Sequence, residues 1–188
     1  MTIVLIIILV LIVLVVVFAI ATYNRLISSR NRVDNAWSQI DVQLKRRIDL
    51  VPNLVETVKG YAAHESKTLE AVVAARNQAI AAQGPHDEAV ADNVLTGALR
   101  QIFALSEAYP DLKANQNFLA LQEELTGTES KIAYARQFYN DQVMKLNTLV
   151  GSFPSNLVAK AFGFTAREFF DIDDPERGPV RVDLTPGT

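Results

Sequence analysis

The sequence predicts an all-α protein with a single N-terminal transmembrane helix followed by a long antiparallel four-helix bundle, and three observations lead to it. Residues Ile3 to Ala21 are wholly apolar, and every Lys, Arg, Asp and Glu of the 188-residue chain lies beyond them. The remainder is rich in Ala, Leu, Gln, Asn and charged residues, a mixture that favours helix over strand. Within it, apolar residues recur in steps of three and four, the period of a one-sided helix.

The first element is the span. Hydrocarbon about 30 Å thick needs about 20 residues at 1.5 Å rise, and Ile3 to Ala21 supplies nearly that. Its many Ile and Val residues would suit a strand in water, but in lipid only a helix satisfies its own backbone groups. A cleaved signal peptide is the competing reading, because Ala19-Ile20-Ala21 has the small-x-small form of a cleavage site. Against it, no Lys or Arg precedes the run, the run exceeds the usual 7 to 15 residues, and Arg25, Arg30 and Arg32 follow it. Those arginines also orient the span, since positive charge at a helix end is retained inside. The expected arrangement is a single pass through the cell membrane, with the N-terminus outside and the domain in the cytoplasm.

Beyond the span, Val33, Trp37, Ile40, Leu44, Ile48, Val51, Val55, Val58 and Ala62 mark one helix face. They predict a helix from about Thr22 to Ala63, able to continue from the span, with a bend near Pro52. A second helix is expected from Ser66 to about Gln83, ended by Gly84-Pro85. Asp87 is expected to cap a third, which Tyr109-Pro110 closes. A fourth runs from near Asp111 to about Ser152, its stripe formed by Phe118, Leu121, Leu125, Ile132, Ala135, Tyr139, Leu146 and Leu149. After Phe153-Pro154 comes a short apolar stretch with Phe162, Phe164, Phe169 and Phe170, and then a Pro-, Gly- and Asp-rich end. The domain division is a signal-anchor over 1–21, a helical bundle over 22–172 and a mobile C-terminal tail over 173–188.

A net charge of −3 gives no reason to expect nucleic-acid binding, and the absence of cysteine excludes disulfides, thiolate metal sites and cysteine nucleophiles. His64 and His86 lack the three- or four-residue spacing of helical metal ligands and read as surface or cap residues. Glu123 and Glu124 point to different helix faces and read as solvated. No Walker-type loop, nucleophile elbow or dinucleotide fingerprint occurs. No catalytic, cofactor-binding or metal-binding residue is therefore assigned, and no cofactor. Lys45-Arg46-Arg47 reads as a solvated cluster, roughly 35 Å or more above the bilayer and beyond its electrostatic reach. Pro52-Asn53 and Tyr139-Asn140 are expected to set kinks and register through buried hydrogen bonds, and Trp37, Phe118 and Phe138 to be core.

The run Tyr23-Asn24-Arg25-Leu26, then Arg30 to Val33 and Ala36 to Arg47, resembles bacterial LemA proteins. Asp49 to Val55, Glu107 to Ala114, Tyr134 to Asn140 and Phe153 to Asn156 continue the resemblance in order along almost the whole chain. It implies an N-terminal span and an antiparallel four-helix domain. It also implies work through a partner, since some LemA proteins occur beside a membrane zinc peptidase of the heat-shock type and a magnetosome relative is tied to membrane remodelling. The expected function is that of a membrane-anchored, non-enzymatic bundle acting as a scaffold through protein or membrane contacts. The alternative is an accessory factor of a membrane zinc peptidase in envelope stress. The expected partners are the lipid bilayer and an unidentified protein, with a membrane peptidase and self-association both open.

Helix lengths leave two topologies. The two middle helices could form one broken return rod, which would put the end of the fourth helix far from the bilayer. Alternatively Gly84-Pro85 reverses the chain, and the fourth helix descends the full length of the first, the arrangement favoured here. It brings Phe153, Leu157, Phe162, Phe164, Phe169 and Phe170 near the bilayer, where two uses are open: burial in the membrane interface, or cover for the base of the bundle.

Overall fold

A computed structural model describes residues 1–171, and among these every regular element is a helix. The expected tail over 173–188 lies outside the described residues. Helix α1, Thr2–Lys59, is one element of 58 residues, about 87 Å long. It runs unbroken from the apolar segment into the bundle because no glycine or proline occurs before Pro52. The large apolar residues from Ile3 to Phe18 are all exposed, unlike those of a core helix, so none of the described residues buries them.

Pro52 lies inside α1 without ending it. Having no N–H, it leaves the Ile48 carbonyl without its helical donor. The Arg76 side chain fills the vacancy, its Nε donating to Ile48 O at 3.3 Å. Pro52 and Asn53 themselves are exposed, which corrects the expectation of buried hydrogen bonds there. The pairing predicts a coupled double-mutant cycle. Arg76→Leu should cost about 1–3 kcal/mol of unfolding free energy in the parent and clearly less in Pro52→Ala, where the restored N–H takes the carbonyl back. Additive costs in chemical unfolding would show that Arg76 does not answer the proline.

The other helices are shorter. Helix α2, Ser66–Ala81, returns along α1, and α3, Pro85–Ser106, reverses again. The reversal sits at Gly84, whose φ of 87° only glycine adopts freely, with Pro85 opening α3. Gly84 rather than Asp87 therefore occupies the cap, and Asp87 lies in the first turn, where its charge suits the helix dipole. Tyr109 Oη donates to Glu65 Oε1 at 3.1 Å, joining the far end of α3 to the start of α2 and closing the hairpin.

The expected continuous fourth helix is in fact two elements, α4, Pro110–Lys113, and α5, Gln116–Gly151. Asn115 interrupts it, with an extended backbone and a side-chain oxygen that accepts from Phe118 N–H at 3.0 Å. From there α5 descends antiparallel to α1. Arg46 pairs with Glu124 near the top, Trp37 packs on Tyr139 at 5.3 Å in the middle, and Tyr23 meets Phe162 at 4.8 Å at the bottom. The short helix α6, Ser155–Ala161, closes the base. The descending topology is the one observed.

Two core clusters share this rod. The distal one joins all four long helices through Val51, Leu54, Val72, Leu99, Ile102 and Phe118. The proximal one lies mainly between α1 and α5, through Leu26, Val33, Ile40, Ile132, Val143 and Leu146. Between them Arg47 is only 2% exposed and donates through Nη1 to Asp92 Oδ1 at 2.7 Å, with Glu129 at 3.7 Å. The solvated reading of Lys45-Arg46-Arg47 is thus corrected for its last member. Arg47 falls seven residues after Ile40 and seven before Leu54, on the buried face, whereas Lys45 and Arg46 point outward. Burial lifts the Asp92 carboxyl above its ordinary range, and the Arg47 charge and hydrogen bond pull the other way.

Candidate membrane-facing site

The end of α5 turns tightly into α6, the Ser155 hydroxyl donating to Leu149 O at 2.7 Å. Helix α6 stops in a Schellman motif. Gly163, at φ 71°, sends its N–H to Lys160 O, and Phe164 N–H reaches Ala159 O at 2.9 Å. The chain then reverses and climbs α5 as an extended strap. Asn147 grips Arg167 on both sides, Nδ2 to Arg167 O at 2.9 Å and Arg167 N–H to Oδ1 at 2.8 Å. Asn140 grips Phe170 in the same way, at 3.2 and 2.9 Å. The spacing fits, because three extended residues and seven helical residues both cover about 10 Å. Tyr139 donates to Glu168 O at 2.9 Å between the two grips, and burial pushes its phenol up to about 12. Asn140 and Tyr139 therefore set register as expected, but for the strap.

This geometry divides the phenylalanines. Phe170 is 1% exposed and packs on Trp37 at 5.9 Å, while Phe164 is partly buried against Tyr23, with Arg30 5.5 Å above its ring. These two cover the open side of the α1–α5 pair. Phe153 is 79% exposed, and Leu157, Phe162 and Phe169 are also exposed. Ala19, near the end of the apolar run, packs against the same proximal cluster, so the base of the bundle stands level with the end of that run. Ile3 and Ala21, the limits of that run, both lie within α1 and both are exposed.

Arg25, Arg30 and Arg32 all project from α1 just past the run. Arg30 stands on the strap side near Phe164, whereas Arg25 and Arg32 line a groove on the other flank with Gln142 and Lys145. On the strap side Arg167 also pairs with Asp34 at 3.0 Å. Phe118 is core and Trp37 partly so, but Phe138 is exposed, correcting its assignment to the core. With Val42 and Tyr134, which share a shallow groove, it adds to the exposed apolar surface of the stem. His64 and His86 are both exposed, and among the described residues no group of three or more His, Asp or Glu is placed to hold a metal ion.

The LemA family profile matches residues 36–184. The chain belongs to the LemA family. Among its relatives, Protein LemA of Metamycoplasma hominis is 27% identical over 84% of this chain and 72% of that protein. Magnetosome protein MamQ 2 of Paramagnetospirillum magneticum is 25% identical and Magnetosome protein MamQ of Magnetospirillum gryphiswaldense 22%, each over 79% of this chain. The chain spans 64% of the length of those two magnetosome proteins. The LemA match begins at Ala36, so the span and its three arginines stand outside it and their reading rests on physical argument. The LemA-like stretches lie at the joints of the fold: Glu107 to Ala114 forms the turn through α4, Tyr134 to Asn140 holds the strap, and Phe153 to Asn156 makes the turn into α6. Asn147, Gly163 and Asp92 escaped the sequence reading. For Gly163 a signal existed in the helix-ending pattern Ala159 to Phe164.

Proposed function

We propose that this LemA protein is a single-pass, non-enzymatic scaffold that works by contact, its bundle held against the inner face of the bilayer and its stem presented to a partner protein. The observation that carries the reading is the unbroken α1, which joins an apolar segment whose large side chains are all exposed to a bundle whose base exposes Phe153, Leu157 and Phe162 at the same level. Such a base suits an interface where apolar side chains enter the headgroup boundary. The arginines just past the span support a cytoplasmic domain. On the stem, Tyr134 is 77% exposed, and Val42 and Phe138 extend the same apolar surface, of the aromatic kind that protein interfaces favour.

One cysteine introduced at Ser130, beside Tyr134 in that groove, tests both halves of the proposal, because the chain has no other. In intact cells a membrane-impermeant maleimide should leave Ser130→Cys unlabelled until the membrane is opened. A photoactivatable maleimide at the same place should then cross-link one partner species, which a second copy of the chain or a membrane peptidase would each satisfy. Labelling of intact cells would overturn the orientation. Cross-linking no different from that at an Asn93→Cys control, on the exposed side of α3, would overturn the contact reading.

A further inference from the structure

We infer that the groove between the lower parts of α1 and α5 is a binding site for the headgroup of an anionic phospholipid. Its volume is about 460 Å³, within the range of small-ligand sites. Arg25, Arg32 and Lys145 line it with Ser28, Ser29 and Gln142, and no carboxylate does, although the whole chain carries a net charge of −3. None of the three cations has a carboxylate partner among the described residues, whereas Arg46, Arg47, Arg100 and Arg167 each have one. The hydroxyls and the Gln142 amide add the donors that phosphate oxygens require.

Position selects a lipid as the source of that phosphate. Arg25 is four residues past Ala21, about 6 Å, which places it in a headgroup layer about 5–8 Å deep. Arg32 is about 16 Å from the same point, within one Debye length of that layer. Side chains on a helix tilt toward its N-terminus, so both arginines of α1 lean back toward the bilayer. The aromatic base and the strap occupy the opposite flank, leaving this side of the α1–α5 seam open. The inference rests on Ile3 to Ala21 spanning the membrane, which alkaline carbonate washing of native membranes checks independently: release of the protein would remove the anchor, not the groove.

The groove itself is tested with the full chain in nonionic micelles holding equimolar phosphatidylglycerol and phosphatidylcholine, counting retained lipid by native mass spectrometry. The expected result is retention of phosphatidylglycerol over phosphatidylcholine. Arg25→Gln/Arg32→Gln/Lys145→Gln should cut that preference by roughly tenfold or more. Lys59→Gln/Lys67→Gln/Lys131→Gln removes the same charge from exposed positions farther up the bundle and should leave it intact. Equal retention of the two lipids by the parent chain, or equal loss in both triple variants, overturns the inference. So does full displacement of the lipid by millimolar inorganic phosphate, which would make the groove a site for a soluble anion.

Discussion

Arg47→Ala is expected to lower the unfolding free energy by about 3–5 kcal/mol, because it strands the buried Asp92 carboxylate without its counter-charge. Arg47→Met combined with Asp92→Leu should recover most of that loss, since an apolar pair needs no compensation for the water it excludes. The deficit of the single variant should also depend on pH. Burial already holds the Asp92 carboxyl above its ordinary value, and removing the arginine takes away a charge and a hydrogen bond that lower it. A carboxyl raised on folding contributes stability below its unfolded value and loses it as pH climbs through the folded value. The variant's deficit relative to the parent should therefore shrink on acidification through the carboxylate range. Thermal unfolding of the full chain in detergent, followed by circular dichroism, reads all three. A single-variant cost below about 1 kcal/mol would mean that water reaches Asp92 and that the polar layer is not closed.

Phe170→Ala and Phe153→Ala should separate two kinds of phenylalanine that lie seventeen residues apart on the same segment. Phe170 is buried between Trp37 and the Asn140 grip, so its truncation should cost about 3–5 kcal/mol and release the strap. Phe153 is exposed at the turn into α6, so Phe153→Ala should change stability by less than about 0.5 kcal/mol. Its effect should appear in lipid instead. A polarity-sensitive dye on Phe153→Cys or Phe162→Cys in reconstituted protein should report the headgroup boundary, while one on Phe164→Cys reports burial without lipid contact. Dyes fully mobile in water at both Phe153 and Phe162 would leave the base without a membrane role. A small cost at Phe170 would mean that the strap does not hold the base.

The long periodic elements were legible in the sequence because each is governed by a pattern many residues long. The apolar run and the three-and-four stripe of α1 specify a helix redundantly, and the stripe of α5 does the same from Phe118 onward. The reversal at Gly84-Pro85 was favoured rather than fixed, since short connections prefer antiparallel neighbours while the helix lengths alone also allowed a broken return rod. Single-residue events were harder to see. The break at Asn115 turns on one side-chain oxygen, and Asp87 resembles a cap until Gly84 and Pro85 are seen to occupy the start of the helix. Arg47 looked solvated because it sits in a run of three cations, although the period of seven that buries Ile40 and Leu54 buries it too. Its partner Asp92 comes from a different helix, forty-five residues away, and no local pattern announces such a pair. The terminal phenylalanines divide into buried and exposed side chains according to which face of α6 and the strap each occupies, and that depends on the asparagine grips.

The absence of any joint in α1 between bilayer and bundle has a mechanical consequence. About 38 of its residues, some 57 Å, stand beyond Ala21, so with Ile3 to Ala21 spanning the bilayer, as proposed, the helix would behave as a mast stepped in the membrane. Spans lean by about 20° on average and adjust that lean to the thickness of the hydrocarbon around them. A lean of that size carries the masthead, the turn around Gly60 to Glu65, about 20 Å sideways. A thinner or thicker bilayer thus changes where the far end of the molecule points, and any partner held there moves with it.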